Sequence, residues 1–274
     1  MTSDNFKFGE LRSGTEIIHG FISGNKFAYK PVKCSVINGL AIYEGDICLG
    51  TAGEIKNRTS AKDIPSASGK LDNDVAKRGI AITGMRFRWP KRIIPYTIAS
   101  DLPNQERVTN AIDHWQEKTN FRFVPFGNNN SGISHKNYIS FEEQDGCFSS
   151  VGMRGTGKQV ISLGPNCSTG NAIHEIGHTL GLWHEQSRED RDEYVKIVWE
   201  NTEESMWHNF EQHIVDGDDI GQYDYGSIMH YPRKAFSKNG EDTVVPIDDQ
   251  DIGQRKGLSE GDIEAIESIY ADTQ

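Results

Sequence analysis

The sequence predicts an α+β fold in which strands and one amphipathic helix come first, a histidine-rich helix follows, and the remainder is mostly irregular. Strand-like apolar runs and one helical stripe of apolar residues lie between residues 93 and 163. The stretch HEIGHTLGLWHE, residues 174–185, reads as a buried helix and contains a glycine that can end it. Beyond this glycine, the clearest periodic element is a helix near residues 259–270.

The N-terminal part of the chain predicts a hairpin followed by a linker. Two apolar runs flank Asn38-Gly39, a dipeptide that is a strong signal for a hairpin turn. Residues 51–79 are polar, small and charged and show almost no apolar periodicity. We therefore expect an exposed linker there.

The C-terminal part predicts further strands around an amphipathic helix. A strand at residues 93–98 precedes a helix near residues 104–118, which places Val108, Ile112 and Trp115 on one side. More strands are expected at residues 121–126, 137–142 and 159–163, and they lead into the histidine-rich helix.

Composition limits the functional classes. The chain has 274 residues, of which 35% are hydrophobic, so it can form one domain of ordinary size plus a smaller segment. No run approaches the roughly 18 apolar residues of a membrane-spanning helix. With 40 acidic and 29 basic residues the net charge is −11, which argues against a nucleic-acid partner or an anionic membrane surface.

Three histidines have the spacing of metal ligands. His174 and His178 are four residues apart, so their side chains lie one above the other on one face of a helix. His184 would point away from them on a continuous helix, but Gly181 can end the helix and let His184 approach from another direction. Three imidazoles with an open fourth position are typical of a catalytic zinc ion, whereas structural zinc is usually bound by four protein ligands. The other six histidines lack this spacing and are assigned no role: His19, His114, His135, His208, His213 and His230.

Glu175 follows the first of these histidines and predicts the base of a hydrolase. It cannot share the ligand face, but its carboxylate can take a proton from zinc-bound water and pass it to a leaving amine. The short pattern H-E-x-x-H recurs by chance, whereas the long pattern H-E-x-x-H-x-x-G-x-x-H, which this sequence contains, is much more specific.

This stretch resembles the metzincin metallopeptidases, and Glu185, directly after the third histidine, resembles the residue that marks the astacin family among them. In the segment SIMHY, Met229 resembles the methionine turn beneath the metal. Tyr231 resembles the astacin tyrosine, an extra zinc ligand in the mature enzyme that moves away to stabilise the transition state. Other matching segments are IIPYTI, GCFSSVG, ISLGPNC and IGQRKGLSEGDI, so the resemblance extends from about residue 79 to the end of the chain.

The resemblance implies a fold and an activity. It implies a catalytic domain of two subdomains at residues 79–274, with a twisted, mostly parallel sheet and helices above a cleft and an irregular part below it. It also implies a zinc-dependent endopeptidase that binds one catalytic Zn²⁺ and cleaves proteins or peptides. Substrate is expected to extend along an edge strand that runs into Phe148, Ser149, Ser150 and Val151. Arg255 matches the family arginine that lines the pocket just after the cleaved bond.

Cysteine usage suggests export. Cys147 and Cys167 match a disulfide loop of astacins, which would form outside the cytosol, while the alternative is two buried free thiols. The chain starts without the basic and apolar regions of a signal peptide. Either it is not exported or this sequence begins after the signal, and we favour the second interpretation. The second disulfide usual in animal astacins has no counterpart, and Cys34 and Cys48 are left without an assigned role.

The resemblance further implies a zymogen whose residues 1–78 are an inhibitory prosegment and linker. Lys77-Arg78 ends the linker, so a trypsin-like protease, or the enzyme itself, is expected to cut after or near Arg78. In mature astacins the new N-terminus folds inward to reach the glutamate that corresponds to Glu185.

The segment YEGD, residues 43–46, resembles the motif with which astacin prosegments place an aspartate on the zinc ion. Asp46 is therefore the expected blocking ligand. Cys34 and Cys48 flank it, and a thiolate is a stronger zinc ligand than a carboxylate. If the two cysteines pair, Asp46 is left to act. If one is free it could replace the aspartate, and Cys34 ranks ahead of Cys48 because Cys48 follows the motif too closely.

Two other functions fit part of the pattern. A catalytically silent, zinc-bound binding or adhesion module of the same fold would keep the histidines and tend to lose the base, whereas Glu175 and Tyr231 are both present. A thermolysin-like peptidase would use a distant glutamate as third ligand, and His184 after Gly181 argues against it.

Overall fold

The computed structural model describes residues 6–8, 10–22, 30–58, 79–127, 136–213 and 217–271. In the N-terminal part (residues 1–78), the strands are β1 (Phe6–Phe8), β2 (Leu11–Ser13), β3 (Ile17–Ile22), β4 (Lys30–Ile37), β5 (Leu40–Tyr43) and β6 (Ile47–Thr51). Strands β3 to β6 form an antiparallel sheet in chain order, and β1 pairs with β2. The predicted hairpin turn is confirmed between β4 and β5, where Asn38 and Gly39 have φ angles of 49° and 80°.

The prediction of an exposed linker over residues 51–79 is wrong at its start. A short helix, α1 (Ala52–Asn57), follows β6 directly. Thr51 caps it in a reciprocal capping box with Glu54, and Ile55 is fully buried because it packs against the backbone of Gly20. Residues 59–78, which include the predicted cleavage site at Arg78, lie outside the described residues.

A five-stranded sheet forms the upper half of the C-terminal part (residues 79–274). Its strands are β8 (Ile93–Ile98), β9 (Arg122–Pro125), β10 (Tyr138–Glu142), β11 (Cys147–Phe148) and β12 (Lys158–Leu163), and a short strand, β7 (Ile80–Ile82), precedes them. The order across the sheet is β11-β12-β10-β8-β9, with β11 antiparallel to β12 and every other pair parallel. The strand predictions, and the expected mostly parallel sheet, are confirmed.

Two helices pack together against this sheet. They are α2 (Glu106–Lys118) and α3 (Thr169–Leu180), and α3 contains the first two histidines of the zinc pattern. The predicted inner face of α2 is confirmed, since Val108, Ile112 and Trp115 are buried. The indole nitrogen of Trp115 donates a hydrogen bond to the Ile173 carbonyl at 3.1 Å, which ties α2 to α3.

The lower half is irregular, as expected. Its strands are β13 (Val195–Ile197), β14 (Gly217–Asp219) and β15 (Val244–Pro246), and its last element is helix α4 (Glu260–Ile269). Strand β13 pairs with β15, and β14 pairs with β7. The 3-10 turns of this half are Glu185–Ser187, Arg191–Glu193, Trp199–Asn201 and Glu204–Phe210, and two more, Met85–Phe87 and Pro90–Arg92, lie between β7 and β8. Together with the sheet above, this arrangement confirms the α+β class.

The N-terminal part lies across the cleft between the two halves. Ile47 forms a parallel bridge with Ser149, next to β11 at the edge of the large sheet. Ile47 also belongs to a buried apolar cluster that includes Val151 and Trp183 of the C-terminal part. Within the described residues, no helix is both long and apolar enough to cross a membrane.

Candidate metal centre and cleft

The end of helix α3 brings the three predicted histidines together. Gly181 is the C-terminal cap of the helix and has a left-handed φ angle of 116°, which an L-amino acid rarely adopts. The chain therefore turns after α3, and His184 reaches His174 and His178 from the following segment. One ring nitrogen from each histidine and one carboxylate oxygen of Asp46 all lie within 4.8 Å of one another, and all four residues are buried.

The hydrogen bonds of the histidines suit a metal ion. Each Nδ1 atom has a partner 2.8 Å away: the Ile228 carbonyl for His174, the Leu182 carbonyl for His178 and the Glu44 carboxylate for His184. If each Nδ1 carries the proton, each Nε2 lone pair points toward Asp46. Among the described residues, His174 Nε2 and His178 Nε2 have no hydrogen-bond partner. Three imidazoles and a carboxylate fit one zinc ion.

Asp46 is the residue of the N-terminal part that reaches the histidines. Its carboxylate oxygens lie 3.1 Å from His184 Nε2, 3.3 Å from His174 Nε2 and 3.7 Å from His178 Nε2. Burial opposes its charged form, but the charge of His184 and the hydrogen bond between them hold the pKa of Asp46 well below its ordinary value. The carboxylate is thus placed as an anion where a metal ion would bind.

The two cysteines that flank Asp46 in the sequence do not belong to the candidate metal site. Both are free, so they do not pair with each other, and neither belongs to the buried group of candidate ligands found among the described residues. Cys34 is buried in β4, and burial is the main cause that raises the pKa of its thiol to about 12. The Cys48 thiol faces the Gly50 carbonyl at 3.9 Å. The two cysteines flank Asp46 in the sequence, but they lie on strands β4 and β6, which are separated in the sheet by β5.

Glu44, which the sequence did not single out, binds two histidines at once. Its carboxylate lies 2.8 Å from His184 Nδ1 and 2.7 Å from His213 Nε2, and it is fully buried. Burial would raise the pKa of Glu44, but the charge of His213 and hydrogen bonds from His184 and His213 outweigh it and lower the pKa to about 2. The available signal was its place in YEGD. His213, to which no role was assigned, is distant in sequence and meets Glu44 only through folding.

Glu175 lies beside the candidate ligands with its carboxylate buried. Its Oε2 atom has no hydrogen-bond partner among the described residues. Burial raises the pKa of Glu175 well above its ordinary value, and the nearby negative charges of Asp46 and Glu10 raise it further. A buried carboxyl group with a raised pKa next to a candidate metal site is suited to exchanging a proton.

Met229 and Tyr231 lie on the lower side of the histidines. A Cβ atom on Gly177 would lie 2.7 Å from Met229 Sδ, so the sulfur packs closely against α3 between its two histidines. The Tyr231 ring is centred 4.6 Å from the His184 ring. Its hydroxyl donates a hydrogen bond to the Glu44 carbonyl at 2.6 Å, so in this uncut chain it contacts the N-terminal part.

The predicted substrate strand is occupied by residues 46–48. The Ser149 amide donates to the Asp46 carbonyl at 2.9 Å, and the Cys48 amide donates to the Ser149 carbonyl at 2.7 Å. The Ser150 hydroxyl donates to the Cys48 carbonyl at 3.0 Å. Phe148 and Val151 pack against apolar residues of the N-terminal part. The segment predicted to bind substrate therefore pairs with the chain's own backbone.

Arg255 packs against the first turn of α3, and its side chain contacts the carboxylate of Glu10. One of its terminal nitrogens donates to the carbonyls of Ile228 and His230 at 2.8 and 3.1 Å. The other forms an ion pair with Glu10, and the second Glu10 oxygen accepts a hydrogen bond from the Asn171 amide. Glu10 and Asn171 are far apart in the chain and belong to no motif, so the sequence alone does not identify them.

Glu185 and the disulfide support the site from two sides. The Glu185 carboxylate is buried, accepts a hydrogen bond from the Asp224 amide at 2.8 Å and lies 3.7 Å from Arg188. Burial raises its pKa to about 8, against the attraction of Arg188. Cys147 and Cys167 form the implied disulfide, with Cα atoms 5.9 Å apart. This bond joins edge strand β11 to the turn before α3.

A family model supports the same interpretation. The model for the astacin family of peptidases matches residues 81–271. Among solved structures, the hatching enzyme zinc-protease called high choriolytic enzyme 1, from the medaka fish Oryzias latipes, matches with a TM-score of 0.59 and 33% identity. That match covers 75% of this chain and 99% of the other.

Three named relatives are similar to this chain over 69% to 86% of its length. Protein SpAN of Strongylocentrotus purpuratus is 40% identical over 237 residues, which are 83% of this chain and 37% of that protein. Zinc metalloproteinase nas-13 of Caenorhabditis elegans is 43% identical, with 69% of this chain and 42% of that protein covered. Meprin A subunit beta of Homo sapiens is 36% identical, with 86% and 34% covered. The chain thus spans about two fifths of the length of these relatives or less.

Proposed function

Since this chain belongs to the astacin family of peptidases, we propose that it is an exported zinc-dependent endopeptidase whose N-terminal part keeps it latent. One observation carries the proposal: Asp46 of the N-terminal part lies within 3.7 Å of the Nε2 atoms of all three histidines, with Glu175 beside them. An inhibitory group and a hydrolytic site therefore meet in one place.

The chain's own groups have distinct tasks in hydrolysis. His174, His178 and His184 hold the zinc ion, which when bound polarises the scissile carbonyl and lowers the pKa of a water molecule. Glu175 accepts the proton of the attacking water and passes it to the leaving amine, a task for which its buried position beside the histidines suits it. Tyr231, once its hydroxyl is free of the Glu44 carbonyl, can donate a hydrogen bond to the developing oxyanion.

The N-terminal part blocks two places, the metal site and the strand expected to bind substrate. Asp46 would supply a fourth zinc ligand at the position that must stay open in a catalytic site. Residues 46–48 also use the backbone groups of Ser149 that an extended peptide would pair with. Substrate must displace residues 46–48 to reach Ser149 and cannot be hydrolysed while Asp46 blocks the metal site, so the geometry supports a zymogen that uses Asp46 rather than Cys34 or Cys48.

Substrate binding is assigned to the edge strand and to Arg255. The segment from Phe148 to Val151 can add a peptide strand by main-chain hydrogen bonds, which bind many sequences alike. Arg255, next to the metal site, favours Asp or Glu just after the cleaved bond, because a guanidinium pairs strongly with a carboxylate. The substrates are therefore proteins or peptides with an acidic residue on the leaving-group side.

Activation requires a cut near Arg78, by a trypsin-like protease or by the enzyme itself. The new N-terminus would then turn inward to pair with the buried carboxylate of Glu185, whose pKa burial raises to about 8. Export is supported by the Cys147–Cys167 disulfide, since such bonds persist in oxidising compartments.

The test is digestion of a peptide library by the purified chain before and after limited trypsin treatment, with trypsin then inhibited. We expect new cleavage products only after treatment, and loss of these products with a zinc chelator and recovery with added zinc. A treated chain that binds zinc but yields no new products would instead support the silent binding module.

A further inference from the structure

We propose that Asn171 and Arg255 together form a carboxylate pocket on the leaving-group side of the metal site, and that Glu10 fills this pocket in the uncut chain. Glu10 is then a second inhibitory anchor, separate from Asp46, and Asn171 is a specificity-determining residue. The inference rests on the proposed peptidase function and deepens it, because it identifies the groups that would select an acidic substrate residue.

The Asn171 amide is oriented by the start of helix α3. Its oxygen accepts hydrogen bonds from the Ser168 amide at 2.8 Å and from the Ser168 hydroxyl at 2.7 Å, as part of a capping box. With the oxygen held there, the amide nitrogen must point the other way, and it donates to Glu10. The positive end of the α3 dipole lies at the same place and favours an anion.

Arg255 is fixed so that one side of its guanidinium remains for a ligand. Its Nη1 atom donates to three carbonyls, those of Ile228, His230 and Gln254, at 2.8 to 3.1 Å. Its Nη2 atom contacts Glu10, and its Nε atom has no hydrogen-bond partner among the described residues. Gly170 permits this packing, because a Cβ atom there would overlap the Arg255 carbonyl. A substrate carboxylate could therefore engage both nitrogens in a bidentate pair.

The pocket adjoins the metal ligands. The Ile228 carbonyl that accepts from Arg255 is 2.8 Å from His174 Nδ1, and Asn171 is one helical turn before His174. The Arg255 side chain is 13% exposed and that of Glu10 is 21% exposed, so the pair is mostly shielded from solvent but not fully buried. A carboxylate bound there would belong to a residue very close to the cleaved bond.

Glu10 is also connected to Asp46 through the backbone. The amide of Arg12 donates to the Gly45 carbonyl at 2.9 Å, and Leu11 packs in a cluster with Tyr231 and Phe236. The segment after Glu10 therefore lies directly beside the loop that carries Asp46. The two anchors hold the N-terminal part at neighbouring points of the cleft, one at the metal site and one in the carboxylate pocket.

The first experiment needs no enzyme activity. In the uncut chain, Asn171→Asp keeps the acceptor oxygens that the Ser168 cap requires but places a negative charge against Glu10. We expect Asn171→Asp to lower the free energy of unfolding. Glu10→Gln should lower it much less in the Asn171→Asp background than in the parent chain, or should raise it. The predicted coupling in the double-mutant cycle, measured by urea unfolding, is about tenfold or more in the equilibrium constant.

A matched control is Glu16→Gln, since Glu16 forms an exposed ion pair with Lys56 in the same N-terminal part. Its effect should add to that of Asn171→Asp within about twofold. If Asn171→Asp does not fold, Asn171→Ser, which can still cap the helix, replaces it in the cycle. Additive effects of Glu10→Gln and the folded Asn171 variant would overturn the pocket.

The second experiment uses the trypsin-activated chain and two peptides that differ only in Glu or Gln directly after the cleaved bond. For Asn171→Asp, we expect the ratio of kcat/KM for the Glu peptide to that for the Gln peptide to fall about tenfold. Asn110→Asp is the control for charge, because Asn110 is exposed on α2 and should leave the ratio unchanged. General damage to α3 would lower both values together, and an unaltered ratio for Asn171→Asp would refute its role in specificity.

The two experiments separate this inference from the proposed function. If the activated parent cleaves neither peptide, the peptidase proposal fails, while the stability cycle still decides whether Glu10 occupies the pocket. If the parent is active and the cycle is additive, the peptidase proposal stands and the second anchor is wrong.

Discussion

At the scale of single residues, two neighbouring carboxylates of the N-terminal part act on one histidine. Asp46 faces Nε2 of His184 at 3.1 Å, and Glu44 faces Nδ1 of the same ring at 2.8 Å. A carboxylate on the far nitrogen orients a ligating histidine and increases its basicity. Glu44 therefore positions the ring that Asp46 approaches, and both contacts end when the N-terminal part is removed.

The first prediction concerns the blocking residue. Asp46→Ala in the uncut chain should produce peptidase activity without trypsin, because the position needed by water is then open. Cys34→Ser should stay latent, since Cys34 is not near the histidines. The measurement is cleavage of a quenched fluorescent peptide by chains verified as uncut on a gel. Latent Asp46→Ala together with active Cys34→Ser would reverse the assignment.

The second prediction concerns the base. Glu175→Ala in the trypsin-treated chain should lower kcat/KM by about 10² to 10⁴, the usual contribution of general acid–base catalysis. Because the three histidines remain, the variant should still bind about one zinc ion per chain by elemental analysis. Glu117→Ala, at an exposed glutamate of helix α2, is the matched control and should keep parental activity. Unchanged turnover in Glu175→Ala would remove this residue from the mechanism.

At the scale of elements, the end of helix α3 determines the geometry of the site. His174 and His178 depend only on helical periodicity, but His184 depends on a turn that Gly181 makes with a φ angle of 116°. A Cβ atom at Gly181 would lie 2.9 Å from an Arg88 nitrogen and 3.3 Å from Ile82 Cγ2. Both the backbone angle and the space therefore favour glycine.

The third prediction follows from this turn. Gly181→Ala should destabilise the chain by about 1–2 kcal/mol, the cost of a left-handed residue with a Cβ atom, and should weaken zinc binding because His184 shifts. Stability is measured by urea unfolding, and zinc affinity by competition with a chelator. Gly240→Ala is the control, since Gly240 has a φ angle of 80° with no atoms within 4 Å of the added Cβ. Equal zinc affinity in both variants would show that His184 does not depend on the turn.

Elements with a local signal were the predictable ones. Strand β8 and the inner face of α2 follow from short-range patterns, and the C-terminal end of α3 follows from a glycine. Helix α1 was missed because its buried face has only two residues, Ala52 and Ile55, and Ile55 packs against Gly20 of strand β3. A contact of this kind produces no periodic pattern in the sequence.

At the scale of the whole molecule, the site is assembled from segments that are far apart in the chain. The family resemblance supplied the role of Asp46, but the contacts of Glu44 with His213 and of Glu10 with Asn171 and Arg255 join residues more than 100 positions apart. No periodic pattern or short motif covers such distances. These contacts could be found only once the N-terminal part was seen across the cleft.

The N-terminal part is also a structural partner of the rest of the chain. Val32, Ile47 and Ile55 share a buried cluster with Ile80 and Trp183. A cut in the polypeptide alone therefore leaves this apolar contact and both carboxylate anchors in place. We therefore expect full activity only when the N-terminal fragment dissociates or is degraded after the cut.

The last prediction concerns this cut. Trypsin treatment should raise activity in two steps, a rapid cleavage near Arg78 seen on a gel and a slower rise in peptide hydrolysis as the fragment leaves. Protein sequencing of the active form should find a start between Gly79 and Ala81. The double variant Lys77→Ala, Arg78→Ala should resist both steps under the same conditions, while Asp46→Ala in the same background should be active without a cut. An uncut parent chain that already has maximal activity would show that the N-terminal part does not inhibit.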